Sequence, residues 1–165
     1  MRRALRRFLL TAHIVSSVGW LGAVGAFIGL AVVGVSSGDP ATVRGVYLVM
    51  EPAAWLVLVP LALASLVTGL LQALGTPWGL LRHYWVVFKL VINIFATVVL
   101  ITYMSTFDAL ADEAADPGAD LATVRNLSPL LHASIAFALL VAATILAVYK
   151  PRGRTPLGRR RPEPN

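Results

Sequence analysis

Four long stretches of this chain, residues 8–35, 52–74, 84–107 and 128–149, are apolar and hold a single Lys, Arg, Asp or Glu between them, Lys89. Each has the roughly 20 residues or more that carry a helix across a bilayer. Backbone amides in lipid find no water, so a stretch of this kind must bond within itself as a helix. The expected fold class is therefore all-α, a four-transmembrane-helix bundle. The chain has 165 residues, 58% hydrophobic and 13% charged, where a soluble domain carries about a quarter charged. Four spans and their loops use residues 1–150, which leaves no length for a second folded domain. Residues 151–165, rich in Pro, Gly and Arg, read as a disordered basic tail lying against anionic lipid.

The charges sort by sign between alternate gaps. Arg2, Arg3, Arg6 and Arg7 precede the first span, Arg82 lies between the second and third, and Lys150, Arg152, Arg154, Arg159, Arg160 and Arg161 follow the fourth. The other two gaps hold Arg44 and Arg125 among Asp39, Glu51, Asp108, Asp112, Glu113, Asp116 and Asp120. Lysine and arginine bias sets orientation, so both termini are expected on the cytoplasmic side of a bacterial membrane. Trp78, Tyr84, Trp85 and Tyr149 read as the inner aromatic belt; Tyr47, Trp55 and Tyr103 read as the outer one. The formal charge of +6 thus sits where orientation needs it, and a nucleic-acid partner is not expected. The first apolar run is about twice the length of a cleaved leader's core, so it reads as an uncleaved anchor.

Cysteine is absent. That excludes disulfides, thiolate metal sites, iron–sulfur clusters and a cysteine nucleophile. No hydrolase elbow, phosphate loop, zincin helix or dinucleotide loop is present either. No catalytic constellation emerges, and the chain reads as a non-enzyme.

Local signals refine the spans. Asp39-Pro40 reads as a cap followed by proline, which starts a helix in the outer loop that runs past Glu51-Pro52 into the second span. Pro60 should kink that span. The third span should continue as a solvated helix to about Ala115, until Pro117-Gly118 stops it, and Ser128-Pro129 reads as the cap of the fourth. Gly25 and Gly29 form a GxxxG pair and Gly22 adds a second small pair with Ala26. Such faces allow close helix approach, within the bundle or against a second copy or another membrane protein.

Polar groups inside lipid need a reason. His13, Ser16, Ser17 and Trp20 share one face of the first span; Lys89, Asn93 and Thr97 share one face of the third; Thr68 and Gln72 lie near the inner end of the second. At a rise of about 1.5 Å per residue, His13, Ser16, Gln72, Lys89 and Asn93 reach a similar depth in the inner leaflet. They form a candidate polar cluster: a packing network with Lys89 snorkelling, a binding or ion-carrying site, or a haem ligand at His13. His132 lies near the outer leaflet, roughly 15 Å away in depth, so the two histidines cannot share one iron. His132 does share a level with Met50 and Met104, and thioether plus imidazole suits copper(I). The bland alternative is a packed, hydrogen-bonded His132.

The strings LLTAHIVSSVGWLGA, GTPWGLLRHYWVVFKL and LAVYKPRG resemble a group of small four-helix bacterial integral membrane proteins of unknown function, of actinobacterial type. The resemblance covers all but the arginine-rich tail and implies a fold, with no activity to carry over. A looser likeness, through His13 followed by Trp20, Leu21 and Gly22, is to the membrane domain of copper-resistance protein D. That likeness implies copper or haem handling. The chain is accordingly expected to be a membrane scaffold or accessory subunit, with haem or copper binding and small-solute or ion carriage as alternatives.

Overall fold

The computed structural model describes residues 3–76 and 79–159. Its elements are α1 (Arg3–Ser36), α2 (Pro40–Ala53), a π-helical turn (Ala54–Leu58), α3 (Val59–Gly75), α4 (Tyr84–Ala115), a short α5 (Leu121–Val124), α6 (Ser128–Tyr149) and a short α7 (Pro156–Arg159). Among the described residues there is no β-strand; one isolated bridge pairs His83 with Arg154. Four rods, Arg3–Ser36, Pro40–Gly75, Tyr84–Ala115 and Leu121–Tyr149, are long and apolar enough to cross a membrane. Their outer faces carry large bare side chains, such as Leu56 at 76% exposure and Phe8 at 68%. Lipid, not water, is the solvent such a surface fits.

The second rod shows how local sequence shapes a span. Asp39 caps it, its carboxylate accepting from the Thr42 amide at 2.9 Å and the Thr42 hydroxyl at 2.6 Å, with Pro40 in the first turn. Those bonds hold the Asp39 carboxyl below its ordinary range. Further on, Pro60 has no N–H for the carbonyl of Leu56, and its ring would crowd that carbonyl in a regular helix. The chain widens just before it into the π turn, where the Val59 amide reaches back to Ala54 O. The kink expected at Pro60 is thus a wide turn one step upstream.

The two ends of the bundle differ. The acidic end is closed by two arginines. Arg44 forks to three backbone carbonyls at the close of α4, Ala114 at 3.0 Å, Asp116 at 2.6 Å and Ala119 at 2.6 Å. A guanidinium there meets the negative end of the helix dipole. Arg125 donates to Ser37 O, which ties the last loop to the first. Tyr47 donates to Asn126 O at 3.0 Å and accepts from the Asn126 amide at 2.9 Å. It is 1% exposed, so it is a buried strut and not a belt residue. Trp55, Tyr84 and Tyr149 stand exposed as belt residues would; Trp78 lies outside the described residues. Ser128 falls inside the first turn of α6 instead of capping it; its amide goes to Asn126 Oδ1 and its hydroxyl accepts from Tyr103.

At the basic end, the tail departs from expectation. Lys150 turns the chain in a left-handed conformation (φ 43°), and residues 151–159 return along the loop before α4. The Thr155 amide donates to Arg82 O at 3.1 Å, its hydroxyl donates to Leu81 O, and Thr155 is buried. The tail thus supplies donors to the carbonyls of Leu81 and Arg82. Residues 160–165 lie outside the described residues.

Candidate functional site: a polar cluster between three helices

Burial divides along the bundle axis. Towards the acidic end the interior is apolar, with Trp20, Phe27, Tyr47, Met50, Met104 and Phe107 in one cluster. Towards the basic end the interior turns polar, and His13, Ser16, Ser65, Asn93 and Thr97 are all buried there.

His13 is the hinge of this region. Its Nδ1 lies 3.1 Å from Ser65 O and 3.1 Å from Thr68 Oγ1, both on α3. A carbonyl can only accept, so Nδ1 carries the hydrogen. The Thr68 hydroxyl donates to Ala64 O at 2.6 Å and is free to accept. The neutral ring then holds its lone pair on Nε2, and Lys89 Nζ of α4 stands 2.9 Å from it. One imidazole thus joins three rods. The ring is also cradled: a Cβ at Gly69 would lie 3.1 Å from His13 Cε1 and 3.5 Å from Nδ1. A methyl there would sit closer than ordinary contact and press on the ring.

Ser65, 1% exposed, is a second junction. Its hydroxyl meets Ser17 Oγ at 2.8 Å and accepts from Asn93 Nδ2 at 3.3 Å. Asn93 Oδ1 is buried without a hydrogen-bond partner. Gln72 stands apart, one turn closer to the basic end, where Nε2 donates to Leu9 O at 2.8 Å. Ser16 bonds back to His13 O in its own helix. The structure therefore joins His13, Lys89 and Asn93, and leaves Gln72 beside them. The residues that sequence reading missed are Ser65 and Gly69. Ser65 has a signal, since it lies three residues before Thr68 on the same face; Gly69 has none, because its role is the space it leaves.

Lys89 carries the one charge in the cluster. Asp39, Glu51 and Asp108 to Asp120 all lie towards the acidic end, so no carboxylate of the described residues neutralises it. Its partner is an imidazole lone pair.

The second group falls differently. Met50 (0% exposed) and Met104 (2%) belong to the apolar core. His132 is exposed on α6, stacked on Tyr103 with centroids 4.3 Å apart, and its Nδ1 is 2.9 Å from Ser128 O. Among the described residues, no three His, Asp or Glu side chains group closely enough to hold a metal ion. Comparison of the chain with family models, curated proteins and solved structures gives no match.

Proposed function

We propose that this chain is a non-enzymatic accessory protein of the bacterial cytoplasmic membrane, with both termini cytoplasmic, in which the His13–Lys89 junction clamps three spans together. One observation carries the reading. The polar side chains of the cluster bond mainly to other helices: His13 to α3 and α4, Ser17 and Asn93 to α3, Gln72 to α1. A reacting or transporting site holds several positions open for its substrate, whereas these groups, Asn93 Oδ1 excepted, are taken up by one another. The basic residues at one end of the bundle support the orientation. Self-association through α1 fits the same role: Gly22 and Gly29 face open space, while Gly25 packs towards Phe137.

One observation favours a second reading, haem or metal ligation at His13. Nδ1–H is anchored on a backbone carbonyl, as in most ligating histidines, and this turns Nε2 away from α3 towards α4. Lys89 would have to leave that nitrogen first.

The absorbance spectrum of detergent-purified protein separates the two. The clamp predicts a colourless protein whose melting temperature falls in His13→Ala. A Soret band lost in His13→Ala would overturn it in favour of haem. Tags fused to the two termini should both be reached from the cytoplasmic side only; opposite sides would overturn the topology.

A further inference from the structure

Between α1, α4 and α6, beside the π turn, lies a groove of about 280 Å³. Its floor is Trp20 and Leu58, both buried; its lips are Phe95 and Ile135, at 55% and 59% exposure. It therefore opens sideways, on the face where lipid lies. The lining is apolar almost throughout, and at the end nearest the acidic loops it includes Tyr103 and His132. A mostly apolar recess with a few polar groups at one end is the usual form of a small-molecule site.

The chemistry of those two residues narrows the ligand. His132 Nδ1 faces Ser128 O, so it donates, which leaves Nε2 as the ring's one position for an acceptor lone pair. Tyr103 donates its O–H to Ser128 Oγ at 2.8 Å, so its phenol oxygen is left as an acceptor. Both positions accept, and a matching ligand must donate. An acyl chain has no donor, and a lipid headgroup that donates through a hydroxyl or an ammonium brings no flat ring. The wall is also built of rings in sequence: His132 stacks on Tyr103, Tyr103 meets Phe107 edge-on at 5.0 Å, and Phe107 meets Phe27 at 5.7 Å. Such a wall suits a flat ring.

We propose that the groove binds a lipid-soluble quinol or phenol, a hydroxyl-bearing aromatic ring on an apolar tail, with the hydroxyl donating to His132 Nε2 and the ring lying against Tyr103 and Phe107. The site is separate from the His13 cluster and stands or falls independently of it. Binding alone is inferred, without electron transfer.

Trp20 provides the readout. A chain with Trp55→Phe, Trp78→Phe and Trp85→Phe, purified in detergent, keeps Trp20 as its sole tryptophan. It is titrated with decyl-hydroquinone, the dimethyl ether of that compound, and decanol. The expected result is saturable quenching by the hydroquinone, with an affinity at least tenfold above the other two. His132→Phe should reduce the hydroquinone to the level of its ether, and Ala136→Phe, which fills the groove, should abolish all three. Calorimetry on the unaltered chain should give the same ranking, free of any effect of the tryptophan substitutions. Equal affinity for the three compounds would make the groove a plain acyl slot and overturn the proposal, as would undiminished hydroquinone binding in His132→Phe.

Discussion

Ser65 and His13 show how single residues tie together the helices towards the basic end of this bundle. Each joins helices far apart in sequence, and each is buried where an unmet polar group is costly. Removing the partner of the half-buried Lys89 charge should therefore harm more than removing the charge. His13→Ala leaves the Lys89 ammonium unpaired and should cost about 2–3 kcal/mol, while Lys89→Met should cost about 1 kcal/mol or less. Thermal melts in detergent, followed by circular dichroism, give the order; the reverse order would show that Lys89 does not depend on the imidazole. Gly69→Ala should cost about 1 kcal/mol by pushing the ring off Ser65, and nothing in a His13→Ala background. A cycle without that coupling would refute the cradle. Asp39 supplies a pH-dependent case outside the spans. Its carboxyl is held below the ordinary 3.8 by the Thr42 bonds. A depressed acid stabilises above its unfolded value and loses that contribution as pH falls through its folded one. Melting temperature should thus decline below about pH 4, and this acid decline should be smaller in Asp39→Asn, which caps without titrating.

At the scale of elements, the spans were legible and their connections were not. Helix starts at Pro40 and Tyr84, the stop at Ala115 and the long α6 can each be read from proline, glycine and hydropathy. These signals are local, so sequence holds them. Arg44 and Arg125 look like stray charges in an acidic loop, yet both close the acidic end of the bundle. For Arg44 the carbonyl partners lie 70 to 75 residues away, and no periodicity reports a contact of that kind. Arg44→Met should speed hydrogen exchange across residues 114–126 by at least tenfold while α6 stays protected. Equal exchange would mean the fork contributes nothing. The small-residue face of α1 makes a separate prediction. Gly22→Leu with Gly29→Leu adds bulk where nothing lies within 4 Å of a new Cβ, so the monomer should fold. Any dimer seen by crosslinking in the native membrane should be lost.

At the scale of the whole molecule, the two ends form separate devices on shared rods. Lys89 and Ala114 stand 25 positions apart on one helix, roughly 37 Å at helical rise. Arg44→Met and His13→Ala should therefore add within about 0.5 kcal/mol, and a larger coupling would mean the bundle transmits strain along its length. The amino-acid sequence alone determined the apolar character of the rods, their number and the sign of each end, because hydropathy and charge belong to residues one at a time. It also put His13, Ser16, Gln72, Lys89 and Asn93 at a similar level, since rise per residue is fixed. Which nitrogen of His13 meets which helix, the room left by Gly69, the return of the tail onto Arg82 and the groove beside His132 were decided only by tertiary structure. Each depends on how the rods are rotated and offset against one another, and packing between distant faces sets that geometry.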